Sequence, residues 1–122
     1  DALPIYWFTS EEYTTEFLEI LADVRAALPN AEVYINSILP VQDWALSKNG
    51  MFPYIPEWNE ALSEMCEENG FFFIDNTSLA LEHDDLYEND GVHFQMDFYK
   101  YWGTNIILAT YYRVDEGEEQ ET

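Results

Sequence analysis

Ala31-Glu32-Val33-Tyr34-Ile35-Asn36-Ser37-Ile38-Leu39-Pro40 is the stretch on which the fold turns. Val33, Tyr34, Ile35 and Ile38 are β-formers, and Asn36 and Ser37 are the only polar interruptions before Pro40 ends the run. A short, nearly continuous apolar run of this kind reads as a buried parallel strand, because both of its faces must be covered. Phe71-Phe72-Phe73-Ile74 is a second run of the same type, with Asp75 at its carboxyl end.

Helical patterns flank both runs. Thr9 and Glu12 have capping-box spacing, and Tyr13, Phe17, Ile20, Leu21, Val24 and Leu28 then form one stripe that ends before Pro29-Asn30. Pro56 suits the first turn of a second helix, in which Trp58, Ala61, Leu62, Met65 and Cys66 recur at helical spacing, and Gly70 supplies a left-handed stop. A third helix is predicted from about Asp97 to Tyr112, burying Phe98, Tyr101, Trp102, Ile106 and Ala109. Gly103 within it implies close packing against a neighbouring backbone. Alternating helices and buried strands imply an α/β layered fold with a parallel sheet. The segments 41–54 and 76–93 are expected to be loops at the carboxyl ends of the strands, where such sheets collect their chemistry. Residues 1–114 are read as one domain and the acidic 115–122 as a disordered tail.

Composition narrows the function classes. With 25 Asp and Glu against 4 Lys and Arg, the net charge of -21 repels phosphate backbones and anionic lipid. Nucleic-acid and membrane-surface partners are therefore not expected. The pairs Glu11-Glu12 and Glu67-Glu68 read as solvated helix faces. Cys66 is the single cysteine, which leaves no intrachain disulfide and suits inert packing. No apolar run approaches the roughly 18 residues a bilayer span needs. The sequence opens without a basic and apolar leader and starts as though internal, so a removed signal peptide stays compatible with it. No compartment follows from this; a soluble protein fits, including one secreted by a bacterium.

The most informative stretch for chemistry is Tyr87-Glu88-Asn89-Asp90-Gly91-Val92-His93-Phe94. An Asp three residues before a His, with a Gly between them for a tight turn, can set its carboxylate against the imidazole Nδ1 and leave Nε2 free to take a proton. Acidic stretches such as Glu82-His83-Asp84-Asp85 raise a second reading, a binding module of the same fold holding calcium. An EF-hand fails, because aligning Gly91 with the loop's sixth position puts Leu86 at the first. His83 reads as a solvated loop histidine.

Asp90-Gly91-Val92-His93-Phe94, just before a C-terminal helix, resembles the last block of the SGNH, or GDSL-type, hydrolases. Other stretches are similar in order and spacing: Ala26 to Ala31 ending a helix, Ser37 to Val41 leaving a strand, Trp58 to Leu62 opening a helix, and Phe73-Ile74-Asp75 ending a strand. Tyr99 and Trp102 fall where that family's final helix carries a Tyr and an apolar residue. The resemblance implies an α/β/α sandwich with a flavodoxin-like sheet, no cofactor, and hydrolysis of acyl or acetyl esters of lipid or carbohydrate. It implies His93 as general base, Asp90 as its orienting partner, and Asp75 as structural. The family's Gly-Asp-Ser nucleophile block and the Gly and Asn of its oxyanion hole have no counterpart here. Ser10, Ser37, Ser47, Ser63 and Ser78 include none after Gly-Asp or inside Gly-x-Ser-x-Gly. The chain therefore resembles the C-terminal part of such a domain. Its expected partners are an ester substrate and either an N-terminal half of the same protein or a second copy, joined along the Val33 to Leu39 edge.

Overall fold

A computed structural model describes residues 9–121, with side chains through Tyr111. It is an α/β structure. Helix α1 (Ser10–Ala27) is followed by strand β1 (Tyr34–Asn36), helix α2 (Ile55–Asn69), strand β2 (Phe72–Ile74), a short helix α3 (Thr77–Glu82) and helix α4 (Phe98–Glu121). Among the described residues the sheet has two strands, β1 and β2, which run parallel with Tyr34, Ile35 and Asn36 opposite Phe72, Phe73 and Ile74.

Local chemistry explains where the elements begin and end. The Thr9 side chain accepts the Glu12 N–H at 3.0 Å, satisfying one of the amides a helix start leaves unpaired. Pro56 sits in the first turn of α2. That helix stops at Gly70, whose φ of +73° is a left-handed conformation that a side chain would disfavour.

Alternation along β1 assigns the layers. Ile35 points into a core with Leu21 of α1, Leu62, Met65 and Cys66 of α2, and Phe71. Its neighbour Asn36 points the other way and takes the Asn76 side-chain N–H, and Asn76 in turn accepts from Asn105 of α4. Helices α1 and α2 thus cover one face of the sheet and α4 lies on the other. Arg25 fastens the first layer by donating to the Asn69 carbonyl at 2.9 Å and lying over the Phe71 ring. Cys66 is buried in this core, and burial pushes its thiol pKa up, as inert packing requires.

Several expectations need correction. The segment expected to be a loop from Val41 to Tyr54 forms two 3₁₀ helices, Asp43–Lys48 and Phe52–Tyr54, with Ala45 completely buried. Aromatic and apolar residues at irregular spacing here pack a short turn rather than a long face. The segment 76–93 likewise contains α3 and a 3₁₀ turn, Asp84–Leu86. Gly103 has nothing within 4 Å of where a Cβ would stand, so no close backbone approach accounts for it. The stripe on α1 is only partly covered: Leu21 is buried, but Ile20, Val24 and Leu28 are exposed. Tyr101 of α4 is exposed as well, at the edge of the face expected to bury it. The α4 backbone runs to Glu121, and the side chains beyond Tyr111, with Thr122 of the acidic 115–122 stretch, lie outside the described residues. No helix among the described residues is long and apolar enough to cross a membrane.

Candidate active site

The Asp90 to His93 turn is built on an aromatic platform. Tyr87, Phe94 and Phe98 are buried, and their rings meet at centroid distances of 4.0 Å and 3.9 Å in sequence. Tyr87 and Phe94 form an antiparallel bridge at the base of the turn, and the Glu88 N–H donates to the His93 carbonyl at 2.7 Å. The Gln95 side chain closes the base by donating to the Tyr87 carbonyl. Tyr87 also donates its hydroxyl to the Pro40 carbonyl, which fastens the turn to the chain leaving β1. Burial, with the Asp84 carboxylate nearby, pushes the Tyr87 pKa up to about 12, so this hydroxyl stays a donor at any ordinary pH.

At the tip, one oxygen of Asp90 accepts the N–H groups of Val92 and His93, each at 2.9 Å. Its other oxygen lies 2.5 Å from His93 Nδ1. The imidazole contact, followed by the two backbone donors, holds the Asp90 carboxyl well below the usual carboxylate range. An ionised carboxylate can only accept, so Nδ1 carries a proton and Nε2 of the neutral ring offers a lone pair. The His93 side chain is 77% exposed, which leaves that lone pair open to a reactant. Gly91 makes the turn possible. Its φ is +72°, and a Cβ there would come within 2.7 Å of the Trp44 ring.

The segment after β1 clasps this turn, a feature sequence reasoning missed. The Gln42 N–H donates to the Gly91 carbonyl at 2.8 Å, and Lys48 Nζ donates to the Asp90 carbonyl at 2.8 Å. Lys48 also lies over the Trp44 ring, 4.5 Å from its centroid. The rarity of cations in this chain was the one available signal for Lys48, but the carbonyl it donates to lies 42 residues away in sequence. Asn76 was also missed. It is completely buried, its backbone N–H donates to the Ser37 hydroxyl at 2.8 Å, and its side chain joins Asn36 to Asn105, tying α4 to the strand ends.

Asp75 accepts the Thr77 N–H through its side chain and shapes the entry to α3. His83 is not a simply solvated histidine: its ring stacks on Tyr101 with centroids 4.0 Å apart, at the end of α3. Ser37 is buried, Ser10 opens α1, Ser47 lies in the Asp43–Lys48 turn, and Ser63 and Ser78 lie on α2 and α3. None of these hydroxyls is hydrogen-bonded to His93 among the described residues. Nor do the described residues contain a group of three or more His, Cys, Asp or Glu side chains arranged to hold a metal ion.

The structure is similar to that of the esterase domain of the ZfL2-1 ORF1 protein from the zebrafish ZfL2-1 retrotransposon, with a TM-score of 0.69 and 25% sequence identity. The match covers 81% of this chain and 61% of that one, so the chain spans only part of the esterase domain's length. No family model and no curated protein matches the sequence. The α/β architecture with its parallel strands is therefore that of an esterase-like fold, seen in part.

Proposed function

We propose that this chain supplies the general base and its orienting acid, His93 and Asp90, to a serine ester hydrolase of the SGNH type. The observation that carries the reading is the Asp90 carboxylate on His93 Nδ1, with the rest of the imidazole exposed at the carboxyl end of a parallel sheet. Structural similarity to an esterase domain supports it.

In this reading the nucleophilic hydroxyl and the oxyanion donors come from a segment outside the described residues or from a second chain. His93 Nε2 takes the proton of that hydroxyl as its oxygen attacks the ester carbonyl, and Asp90 stabilises the imidazolium that forms. The imidazolium then returns the proton to the departing alcohol. A water molecule, deprotonated by the same nitrogen, releases the acid and restores the hydroxyl. Acyl or acetyl esters of lipid or carbohydrate are the substrate class implied by the SGNH resemblance.

The test is hydrolysis of p-nitrophenyl acetate and labelling by a serine-directed fluorophosphonate, with and without an added N-terminal half carrying a Gly-Asp-Ser segment. The chain alone should show neither, and the complemented protein both. In the complemented protein His93→Ala should lower kcat by orders of magnitude, Asp90→Asn by a similar or smaller factor, and His83→Ala hardly at all. Stoichiometric labelling of the chain alone at one of its own serines, or an essential His83 beside a dispensable His93, would overturn the assignment.

A further inference from the structure

A cavity of 840 Å³ opens between the segment leaving β1, the start of α2, β2 and α3, and neither Asp90 nor His93 lines it. Its size is in the range of small-molecule sites, about 300 to 1,000 Å³. Leu46, Phe52, Phe73 and Leu81 supply much of an apolar wall. Three carboxylates, Asp43, Glu60 and Asp75, share the lining, and no Lys, Arg or His side chain does. The polar Asn59 at the same wall is already spoken for, since its side chain takes the Ile38 N–H and donates to the Ile38 carbonyl at 2.7 Å and 2.9 Å.

We propose that this cavity is a binding site for a small organic cation, an amine or ammonium with an apolar body. Carboxylates beside low-dielectric walls focus a negative potential into the space, and phenylalanine faces attract ammonium groups in their own right. The same surroundings reject carboxylic acids and phosphate esters. A metal ion does not suit the site: the wall is largely hydrocarbon, and no metal-holding cluster of side chains occurs among the described residues. The site stands independently of the hydrolase reading.

Alternating residues of one segment serve the two regions. Val41, Asp43 and Leu46 face the cavity, whereas Gln42 and Lys48 donate to the Asp90 turn and Ala45 lies against its Gly91. Binding in the cavity should therefore be felt at His93, although it needs no chemistry there.

The experiment is calorimetric titration of the chain, at 0.15 M salt so that bulk attraction is screened, with three probes of one shape: 4-phenylbutylamine, 4-phenylbutanol and 4-phenylbutyrate. The amine should bind at least about tenfold more tightly than the alcohol, and the carboxylate should not bind detectably. Glu60→Gln and Asp43→Asn should each weaken the amine several-fold, whereas Glu19→Gln, an equal charge change on an exposed face of α1, should leave it unchanged. Ser63→Phe, which places a ring into the cavity from an exposed position on α2, should abolish binding while the circular dichroism spectrum is retained. Equal binding of amine and alcohol, equal weakening by Glu19→Gln and Glu60→Gln, or undiminished binding in a folded Ser63→Phe variant would each overturn the proposal.

Discussion

At the scale of single residues, the Asp90 turn makes two predictions that do not depend on catalysis. Gly91→Ala meets both a left-handed backbone and the Trp44 ring, so it should destabilise the fold by about 1 to 3 kcal/mol, readable as a lowered urea midpoint. An undisturbed midpoint would mean that the turn has room for a side chain at position 91. The second concerns acid. The folded pKa of Asp90 lies below its unfolded value, so between the two the unfolded chain binds more protons. The contribution of this carboxylate to stability is therefore present above the unfolded value of ~3.9 and lost as pH falls toward the depressed one. In an NMR titration the Val92 and His93 amides should keep their carboxylate-bound shifts to a pH well below 3.9, about the unperturbed value. Amides that titrate with the bulk of the chain's carboxylates would contradict this.

Elements show how much the sequence could tell. Apolar periodicity located α1, α2 and α4, and two β-rich runs located the parallel pair, because these signals lie within a single turn or pleat. The contact between Asp90 and His93 was legible for the same reason, the two residues being three apart. What could not be read was the clasp of Gln42 and Lys48 on the turn and the Asn36-Asn76-Asn105 chain centred on buried Asn76, since each contact joins residues brought together only by the sheet. The 3₁₀ helices were missed because tertiary packing, with Ala45 fully buried, organises residues that have no local period. Gly103 misled in the opposite direction: a helix-breaking residue invites a packing reason, and the open space around it offers none. Gly103→Ala should then stabilise the chain by about 1 kcal/mol through helix propensity alone, raising the thermal midpoint by a few degrees. A lowered midpoint would reveal a close contact after all.

For the whole molecule the decisive balance is between exposed apolar surface and charge. Ile20 and Val24 stand out from α1 with Leu28 at its C-terminal cap, and Ile107, Leu108 and Tyr111 from α4, on the two layers that enclose the sheet. Scattered exposed apolar residues are ordinary, but rows of three on neighbouring helical turns form a patch with reason to be covered. A net charge of -21 opposes covering it with a second copy, because two such chains repel at long range. Salt separates the two effects: it screens repulsion between exposed charges beyond about 8 Å at physiological ionic strength and leaves apolar burial intact or strengthened. Light scattering coupled to size exclusion should therefore find a mass above 14.3 kDa that rises with sodium chloride concentration. Ile20→Ser combined with Ile107→Ser should reduce that association. An added N-terminal half that completes the domain should compete with it and hold the complex at one copy of each part. If the chain instead remains a monomer from low to high salt, the exposed rows need no partner and the expected pairing with a second copy or an N-terminal half loses its physical motive.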